Sequence, residues 1–145
     1  MCIRDRNPFL SNIIASSADE AIMFDKNGFI SEGSGENIFI VKDGTIFTPT
    51  TEHCLNGITR QSVIQIAKNQ KYNVEEKDLD YDDLLNADEA FFTGTAVEIT
   101  PISRFDNNII NIGGRGEITE NLQDKFQKII SGNDEQYKNW LTYKA

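Results

Sequence analysis

Two tight-turn signals between short apolar runs constrain the fold of this chain more than any other feature. An Asn-Gly pair at residues 27–28 and an Asp-Gly pair at residues 43–44 each separate two runs of apolar and β-branched residues. Both pairs tolerate the positive φ that a tight hairpin turn requires. The sequence therefore predicts two β-hairpins within residues 20–49.

A helical pattern follows the hairpins. Val63, Ile66 and Ala67 fall on one face at helical spacing. We expect a helix that begins near Thr59, with Thr59 as its N-cap, and ends near Asn69. A strand is expected next, at residues 72–74.

The second half of the chain mixes both patterns. A short helix is expected through residues 84–85, and a buried strand over residues 89–92 breaks at residues 93–96 and resumes over residues 97–102. The side chains expected to pack a closing helix and a docked tail against the core are Leu122, Phe126, Ile129, Ile130, Trp140 and Leu141. Together the elements predict a mixed α/β fold.

The composition excludes several classes of function. At 145 residues with a net charge of −9, the chain has room for one domain, and it would be repelled by nucleic acid and by anionic membranes. The sequence contains no apolar run of membrane-spanning length and no secretory signal, so we expect a cytoplasmic protein. Cys2, Cys54 and His53 do not have the spacing of a zinc site or a disulfide framework.

Three stretches are candidates for binding chemistry. Residues 31–37 place two glutamates among small residues, and they could equally form a flexible turn. Gly57-Ile58-Thr59-Arg60 opens a helix, whose free amides and positive dipole end attract anions, although most helix starts bind only water or a cap. Residues 93–96 could expose amides to a phosphate or carboxylate, or could be a β-bulge.

Taken together, the three stretches fit one kind of ligand. Two candidate anion sites and an isolated carboxylate, on a framework without a P-loop or a GxGxxG motif, suit a cofactor with one phosphate and one basic ring nitrogen. Pyridoxal phosphate is such a cofactor.

The same stretches resemble the class IV pyridoxal-phosphate aminotransferases. The residues that carry the resemblance are Glu-Gly-Ser-Gly-Glu-Asn-Ile-Phe from Glu32, Leu-Asn-Gly-Ile-Thr-Arg from Leu55, and Phe-Thr-Gly-Thr-Ala-Val-Glu-Ile-Thr-Pro from Phe92. Within that family the small residues resemble those of branched-chain amino-acid aminotransferases. D-amino-acid aminotransferases and aminodeoxychorismate lyases share the scaffold and remain alternatives.

The resemblance assigns roles to individual residues. Glu32 would accept a hydrogen bond from the pyridine nitrogen and keep it protonated. Ile58 and Thr59 would bind the phosphate through their amides, Thr95 would bind it from the other side, and the amides of Thr95 and Ala96 would face the substrate carboxylate. Three further charged residues, Arg60, Glu36 and Glu98, are expected to be structural or supporting groups.

The resemblance also implies a fold and a reaction. The fold would be the β-rich pseudo-barrel with flanking helices that forms the large C-terminal domain of fold type IV enzymes. The reaction would transfer the amino group of leucine, isoleucine or valine to 2-oxoglutarate. The assembly would be a homodimer or a larger homo-oligomer, and no metal ion is implied.

The family also uses a lysine that forms a Schiff base with the cofactor and acts as general base. It would lie well before Glu32, upstream of residue 1, while Lys26 and Lys42 are expected in solvated turns. We therefore expect residues 1–6 to be a non-native leader and residues 7–145 to be the cofactor-binding C-terminal domain of a truncated enzyme.

Such a fragment is expected to be inactive. Turnover of a branched-chain amino acid in a coupled glutamate assay would contradict the truncation. The alternative of another class is a non-catalytic anion-binding module, complete as it stands. The nucleotide sequence upstream of Asn7 would separate the two, because an in-frame continuation that contains a lysine supports truncation.

Overall fold

The computed structural model describes residues 19–110 and 113–142. The predicted leader at residues 1–6 and the first part of the predicted domain 7–145 lie outside the described residues. The described part is a mixed α/β structure. Its strands are β1 Ile22–Phe24, β2 Ile30–Gly33, β3 Asn37–Lys42, β4 Thr45–Thr48, β5 Asn73–Glu76, β6 Glu89–Gly94, β7 Glu98–Pro101, β8 Arg104–Phe105 and β9 Asn108–Ile109. Its helices are α1 Ile58–Asn69, α2 Tyr81–Leu85, α3 Glu117–Ile130 and the 3-10 helix Glu135–Trp140.

Both predicted hairpins are confirmed. Strands β1 and β2 pair antiparallel, and so do β3 and β4. Gly28 has φ +88°, and Asp43 and Gly44 have φ +49° and +73°. These are the left-handed conformations for which Asn-Gly and Asp-Gly turns are selected. Asp25 supports the first turn, since its Oδ1 accepts the Asn27 amide at 2.8 Å.

A five-stranded sheet in the order β5-β4-β3-β6-β7 forms the centre of the structure. The only parallel pair in this sheet is β4 with β5, and α1 provides the crossover between them. The ends of β4, β5 and β6 therefore lie at the same edge of the sheet as the start of β3. We call this the loop edge, because residues 49–57 and 95–97 both lie there.

Alternation along the strands divides the core between the two faces of the sheet. Ile38 and Ile40 pack on one face, in a cluster that includes Leu79 and Leu84. The opposite face buries Phe39 and the rest of a second cluster against α1 and α3. The Phe39 and Phe91 rings stack there with centroids 5.1 Å apart. Helices α1 and α3 therefore pack on the same face of the sheet.

Three local predictions are wrong. The N-cap of α1 is Gly57, not Thr59. Ile130 is 42% exposed and Trp140 is 40% exposed, and the residue that docks the tail is Tyr137, whose hydroxyl accepts a hydrogen bond from Asn69 Nδ2 at 2.7 Å. Tyr137 is the better anchor because its ring is buried while its hydroxyl finds a partner.

The break predicted at residues 93–96 is a hairpin turn. Strand β6 continues to Gly94, and residues 95–97 turn the chain back into β7, which pairs antiparallel with β6. Glu98 closes the turn with φ +53°. The turn therefore presents Thr95 and Ala96 at the loop edge, both exposed.

Candidate functional site

Glu32 is a buried carboxylate at the loop edge. It lies on β2 and is 4% exposed. Its Oε2 accepts the Leu55 amide at 2.7 Å and the Asn37 side-chain Nδ2 at 3.4 Å. A buried ionised carboxylate needs such donors, because desolvation without them is costly. These contacts fix the orientation of the carboxylate.

Asn37 connects this carboxylate to the start of α1. Its Nδ2 also donates to the Leu55 carbonyl at 2.7 Å. Its Oδ1 lies so close to Gly57 that a Cβ at that position would be 2.5 Å away. Asn37 therefore contacts Glu32 and Leu55 at once, and residue 57 has no room for a side chain.

No side chain of the described residues caps the start of α1. The first N–H groups of a helix have no intrahelical partner, and Gly57 has no side chain with which to cap them. Residues 58–61 contain no acidic side chain. By contrast, Asp80 caps α2, and Glu89 accepts the first amides of α3. The start of α1 is suited to an anion.

Two large apolar side chains beside the start of α1 are exposed to solvent. Ile58 is 85% exposed and Leu55 is 53% exposed, although both are large and apolar. Thr59 is partly exposed. The uncapped start of α1 is therefore flanked by exposed apolar side chains.

The turn of residues 95–97 lies at the same edge of the sheet. In the antiparallel pairing of β3 and β6, Thr93 lies opposite Asn37, and Thr95 follows two residues later. The Thr93 Oγ1 is buried and has no hydrogen-bond partner among the described residues. A buried hydroxyl without a partner is uncommon. It adds an unused polar group near Asn37 and the helix start.

The three charged residues that were expected to be supporting groups, Arg60, Glu98 and Glu36, lie in different environments. The Arg60 guanidinium is 2% exposed, and its Nη2 donates to the Pro49 carbonyl at 2.9 Å and to Glu76 at 2.6 Å. It thereby ties the beginning of residues 49–57 to the end of β5. Glu98 accepts a hydrogen bond from Gln127 on α3.

Glu36 lies beside a second carboxylate, that of Glu20. Burial raises the pKa of Glu36, and its contact with Glu20 and the charge of Glu32 raise it further, against the opposing hydrogen bond from the Gly35 amide. For Glu20, burial is outweighed by hydrogen bonds from Ser34 and from the Ala21 amide, so its pKa is lowered. Glu36 is therefore the member of the pair that takes up a proton first.

The structure brings together most of the residues predicted for the site. Direct contacts join Glu32 to the segment that ends at Ile58 and Thr59, and the register of the sheet places Thr95 and Ala96 at the same edge. Sequence reasoning missed Asn37 and the Leu55 amide. Asn37 lies in the same motif as Glu32, and this position could have identified it as a site residue.

The chain matches the family model described as amino-transferase class IV over residues 6–105. The chain belongs to the class IV aminotransferases. The predicted family is thus confirmed, and membership favours an enzyme over the alternative of a non-catalytic binding module.

Similar proteins carry a more specific name. The branched-chain-amino-acid aminotransferase of Pseudomonas aeruginosa is 47% identical over 133 residues, which cover 92% of this chain and 43% of that protein. The Escherichia coli K12 enzyme of the same name is 41% identical over 140 residues, which cover 92% of this chain and 45% of that protein. These relatives do not favour the D-amino-acid aminotransferase and lyase alternatives.

Solved structures agree with the sequence matches. The T.th. branched-chain amino acid aminotransferase complexed with N-(5'-phosphopyridoxyl)-L-glutamate superposes with a TM-score of 0.90 at 41% identity, over 94% of this chain and 47% of that one. The enzyme of Thermoproteus uzoniensis with norvaline gives a TM-score of 0.88 at 43% identity, over 93% and 46%. The predicted fold is therefore confirmed.

The chain spans less than half the length of these relatives. Of the helices in the described residues, none is long and apolar enough to cross a membrane.

Proposed function

We infer that this chain supplies the cofactor-binding half of a branched-chain amino-acid aminotransferase that uses pyridoxal phosphate. The observation that carries the inference is the Glu32 carboxylate, buried at 4% exposure and oriented by the Leu55 amide beside an uncapped helix start. Support comes from similar enzymes of that name, of which the T.th. protein was solved with pyridoxamine 5'-phosphate and with a phosphopyridoxyl adduct of glutamate.

The described residues fit the two ends of such a cofactor. When bound, pyridoxal phosphate supplies a protonated ring that takes up the electrons left at the substrate Cα. Glu32 would accept the hydrogen bond of the ring nitrogen and hold its proton there, since an adjacent carboxylate favours the charged form. The Leu55 amide and Asn37 keep the carboxylate in place for that task.

The phosphate would bind at the start of α1. Ile58 and Thr59 would donate their amides, with the Thr59 hydroxyl assisting, and the helix dipole would favour the negative charge. Thr95 would bind the phosphate from the turn after β6. The amides of Thr95 and Ala96 would face the substrate carboxylate, a placement that the exposure of both residues permits.

The intact enzyme would be a branched-chain amino-acid aminotransferase. Its substrates would be leucine, isoleucine or valine with 2-oxoglutarate, and residues 7–145 would form its cofactor-binding domain. The enzyme would be a homodimer or a larger homo-oligomer, and its predicted cytoplasmic location also stays a prediction. A panel of branched-chain, D-amino-acid and aminodeoxychorismate substrates tests the specificity, and activity confined to the latter two would remove the branched-chain assignment.

A binding experiment tests the role of Glu32 directly. Pyridoxamine phosphate is titrated into the 145-residue chain and followed by its own fluorescence. Glu32→Gln keeps the shape of the side chain and removes its charge, so binding should weaken by about ten- to a hundredfold, the effect of one charge-assisted hydrogen bond. Glu52→Gln, at an exposed glutamate of residues 49–57, is the matched control and should bind as the wild type does.

Equal binding by Glu32→Gln and Glu52→Gln would exclude Glu32 as the partner of the ring nitrogen. Absence of saturable binding by the wild-type chain would count against the cofactor site as a whole. Inorganic phosphate is titrated in parallel, because competition at millimolar concentration locates the anion-binding part of the site.

A further inference from the structure

Thr93 carries a buried hydroxyl to which the described residues supply no hydrogen-bond partner. The residue is 1% exposed, and its Oγ1 is one of four buried side-chain atoms of the described residues in this state. The other three belong to Thr50 and Gln70, which are only half-buried, and to Arg60, whose two Nη atoms both have partners. A buried hydroxyl without a partner costs free energy, so its presence calls for an explanation.

The register of the sheet places this hydroxyl on the face where α1 packs. Thr93 lies between Asn37 on β3 and Ile99 on β7, which are its partners in the register. Ile99 belongs to the cluster that is buried against α1 and α3, and so does Phe91, two residues before Thr93 on β6. Residues that pair directly, and residues two apart on one strand, share a face of the sheet. The Thr93 side chain therefore extends from β6 toward the helices.

The start of α1 lies beside the strand position that neighbours Thr93. Asn37, the register partner of Thr93, has its Oδ1 beside Gly57, where a Cβ would lie 2.5 Å away. Gly57 is the N-cap residue of α1, and no side chain caps this helix start. The turn of residues 95–97 follows Thr93 at the same edge of the sheet. The Thr93 hydroxyl and the first amides of α1 therefore border one corner, between the end of β6 and the helix start.

The groups without partners in this corner can all donate a hydrogen bond. The first amides of α1 have no acceptor within the helix, and a threonine hydroxyl always has a proton to donate. The first turn of α1 contains no acidic side chain that could accept these bonds. A phosphate monoester has the complementary chemistry, because its negatively charged terminal oxygens are strong acceptors. A buried hydroxyl beside an uncapped helix start thus matches a phosphate better than it matches a neutral ligand.

We propose that Thr93 is a further phosphate-binding residue of this chain, whose hydroxyl donates a hydrogen bond to the phosphate from the sheet while the amides of Ile58 and Thr59 donate from the helix. That this phosphate belongs to pyridoxal phosphate rests on the proposed function. The hydroxyl itself serves any phosphate that the start of α1 binds. In the free chain it is kept unpaired at a cost in stability, and binding supplies the missing acceptor.

Thr93→Val separates binding from stability. It keeps the branched shape of the side chain and replaces an unpaired hydroxyl by a methyl group, so the urea midpoint of the free chain should stay the same or rise. The affinity for pyridoxamine phosphate, followed by the fluorescence of the ligand, should fall by about ten- to a hundredfold, the effect of one hydrogen bond to a charged group. Thr93→Ser keeps the hydroxyl and should retain most of the affinity.

Thr48→Val is the matched control. Thr48 is also fully buried on the five-stranded sheet, but its hydroxyl donates to the Ile38 carbonyl at 2.8 Å. Thr48→Val removes a hydrogen bond that the free chain makes, so the urea midpoint should fall. The affinity of the folded chain for pyridoxamine phosphate should stay close to that of the wild type. The two valine variants are therefore expected to show opposite patterns of stability and binding.

Inorganic phosphate, titrated into the same variants and followed by phosphorus nuclear magnetic resonance, isolates the phosphate end of the ligand. It has no ring, so Thr93→Val should weaken its binding and Glu32→Gln should not. Absence of phosphate binding by the wild type, equal binding by the wild type and Thr93→Val, or a urea midpoint of Thr93→Val that falls as in Thr48→Val would each overturn the proposal. If phosphate distinguishes the variants as expected but none of them binds pyridoxamine phosphate, the proposed function fails and the phosphate-binding role of Thr93 stands.

Discussion

Gly57→Ala probes the contact that joins the carboxylate site to the helix start. The backbone of Gly57 has φ −65° and ψ 148°, values that alanine adopts without strain. The cost is therefore steric, because the new Cβ would lie 2.5 Å from Asn37 Oδ1. Asn37 is 5% exposed and held by Leu55 and Glu32, so its amide has to give up those hydrogen bonds to move.

The size of the effect follows from these contacts. Loss of the Asn37 to Leu55 hydrogen bond inside the protein, with the amide left partly unsatisfied, costs about 1 to 3 kcal/mol. Alanine is also a poorer N-cap than glycine by roughly 0.5 to 1 kcal/mol. The smaller entropy of the unfolded chain offsets about 0.4 to 1 kcal/mol. The free energy of unfolding should fall by about 2 kcal/mol, which lowers Tm by roughly 4 to 8 °C.

The assay is urea unfolding of the full chain, with Gly35→Ala as the matched control. A Cβ at Gly35 meets no atom within 4 Å, so that variant should change the free energy of unfolding by less than about 1 kcal/mol. Pyridoxamine phosphate should also bind Gly57→Ala more weakly than it binds the control. If Gly57→Ala is as stable as Gly35→Ala, Asn37 does not lock the helix start and the coupling between Glu32 and α1 is refuted.

Two further predictions concern stability away from the site. Glu89→Gln should lower the free energy of unfolding, measured in urea, by about 2 to 3 kcal/mol. The reason is that the buried Glu89 carboxylate accepts the Thr119 amide at 2.8 Å and the Thr119 hydroxyl at 2.6 Å. Glu117→Gln is the control and should cost less than about 1 kcal/mol. The second prediction concerns Asp88, whose pKa is lowered by hydrogen bonds from Lys42 and from the Asp43 amide. The stability that these bonds contribute is present above the pKa of Asp88 in the unfolded chain, and it is lost as pH falls through the pKa of Asp88 in the folded protein. Asp88→Asn should therefore flatten the acid limb of the Tm profile, and an unchanged limb would contradict the role of the pair.

Sequence patterns within short stretches were sufficient to predict the two hairpins and α1. The two hairpins follow from residue pairs that accept positive φ, and α1 follows from the spacing of Val63, Ile66 and Ala67. Family motifs identified Glu32 and the start of α1, because both lie within the stretches that carry the resemblance.

Contacts between distant residues decided what local rules missed. Thr59 has the right chemistry for an N-cap, but α1 begins after Gly57, where Asn37, twenty residues before that glycine, leaves no space for a side chain. Similarly, Trp140 is the larger aromatic residue of the tail, but Tyr137 can also use Asn69 as a hydrogen-bond partner. Neither contact leaves a trace in the sequence near the residue that it controls.

Residues 49–57 have few tethers of their own, and this is why the site depends on distant side chains. The backbone bonds within this segment include those from the His53 and Cys54 amides to the Thr50 carbonyl and from the Gly57 amide to the Leu55 carbonyl. Its place in the structure is set from outside the segment, by Arg60 on α1, by the hydroxyl of Ser31 and by the carboxylate of Glu32.

A ligand that draws on both Glu32 and the start of α1 would add a further tether to the same segment. Such a ligand stabilises the folded state by mass action, and it would also oppose local opening of residues 49–57. Cofactor affinity and the local stability of residues 49–57 should therefore change together, so that a substitution at Asn37 affects binding without touching the ligand.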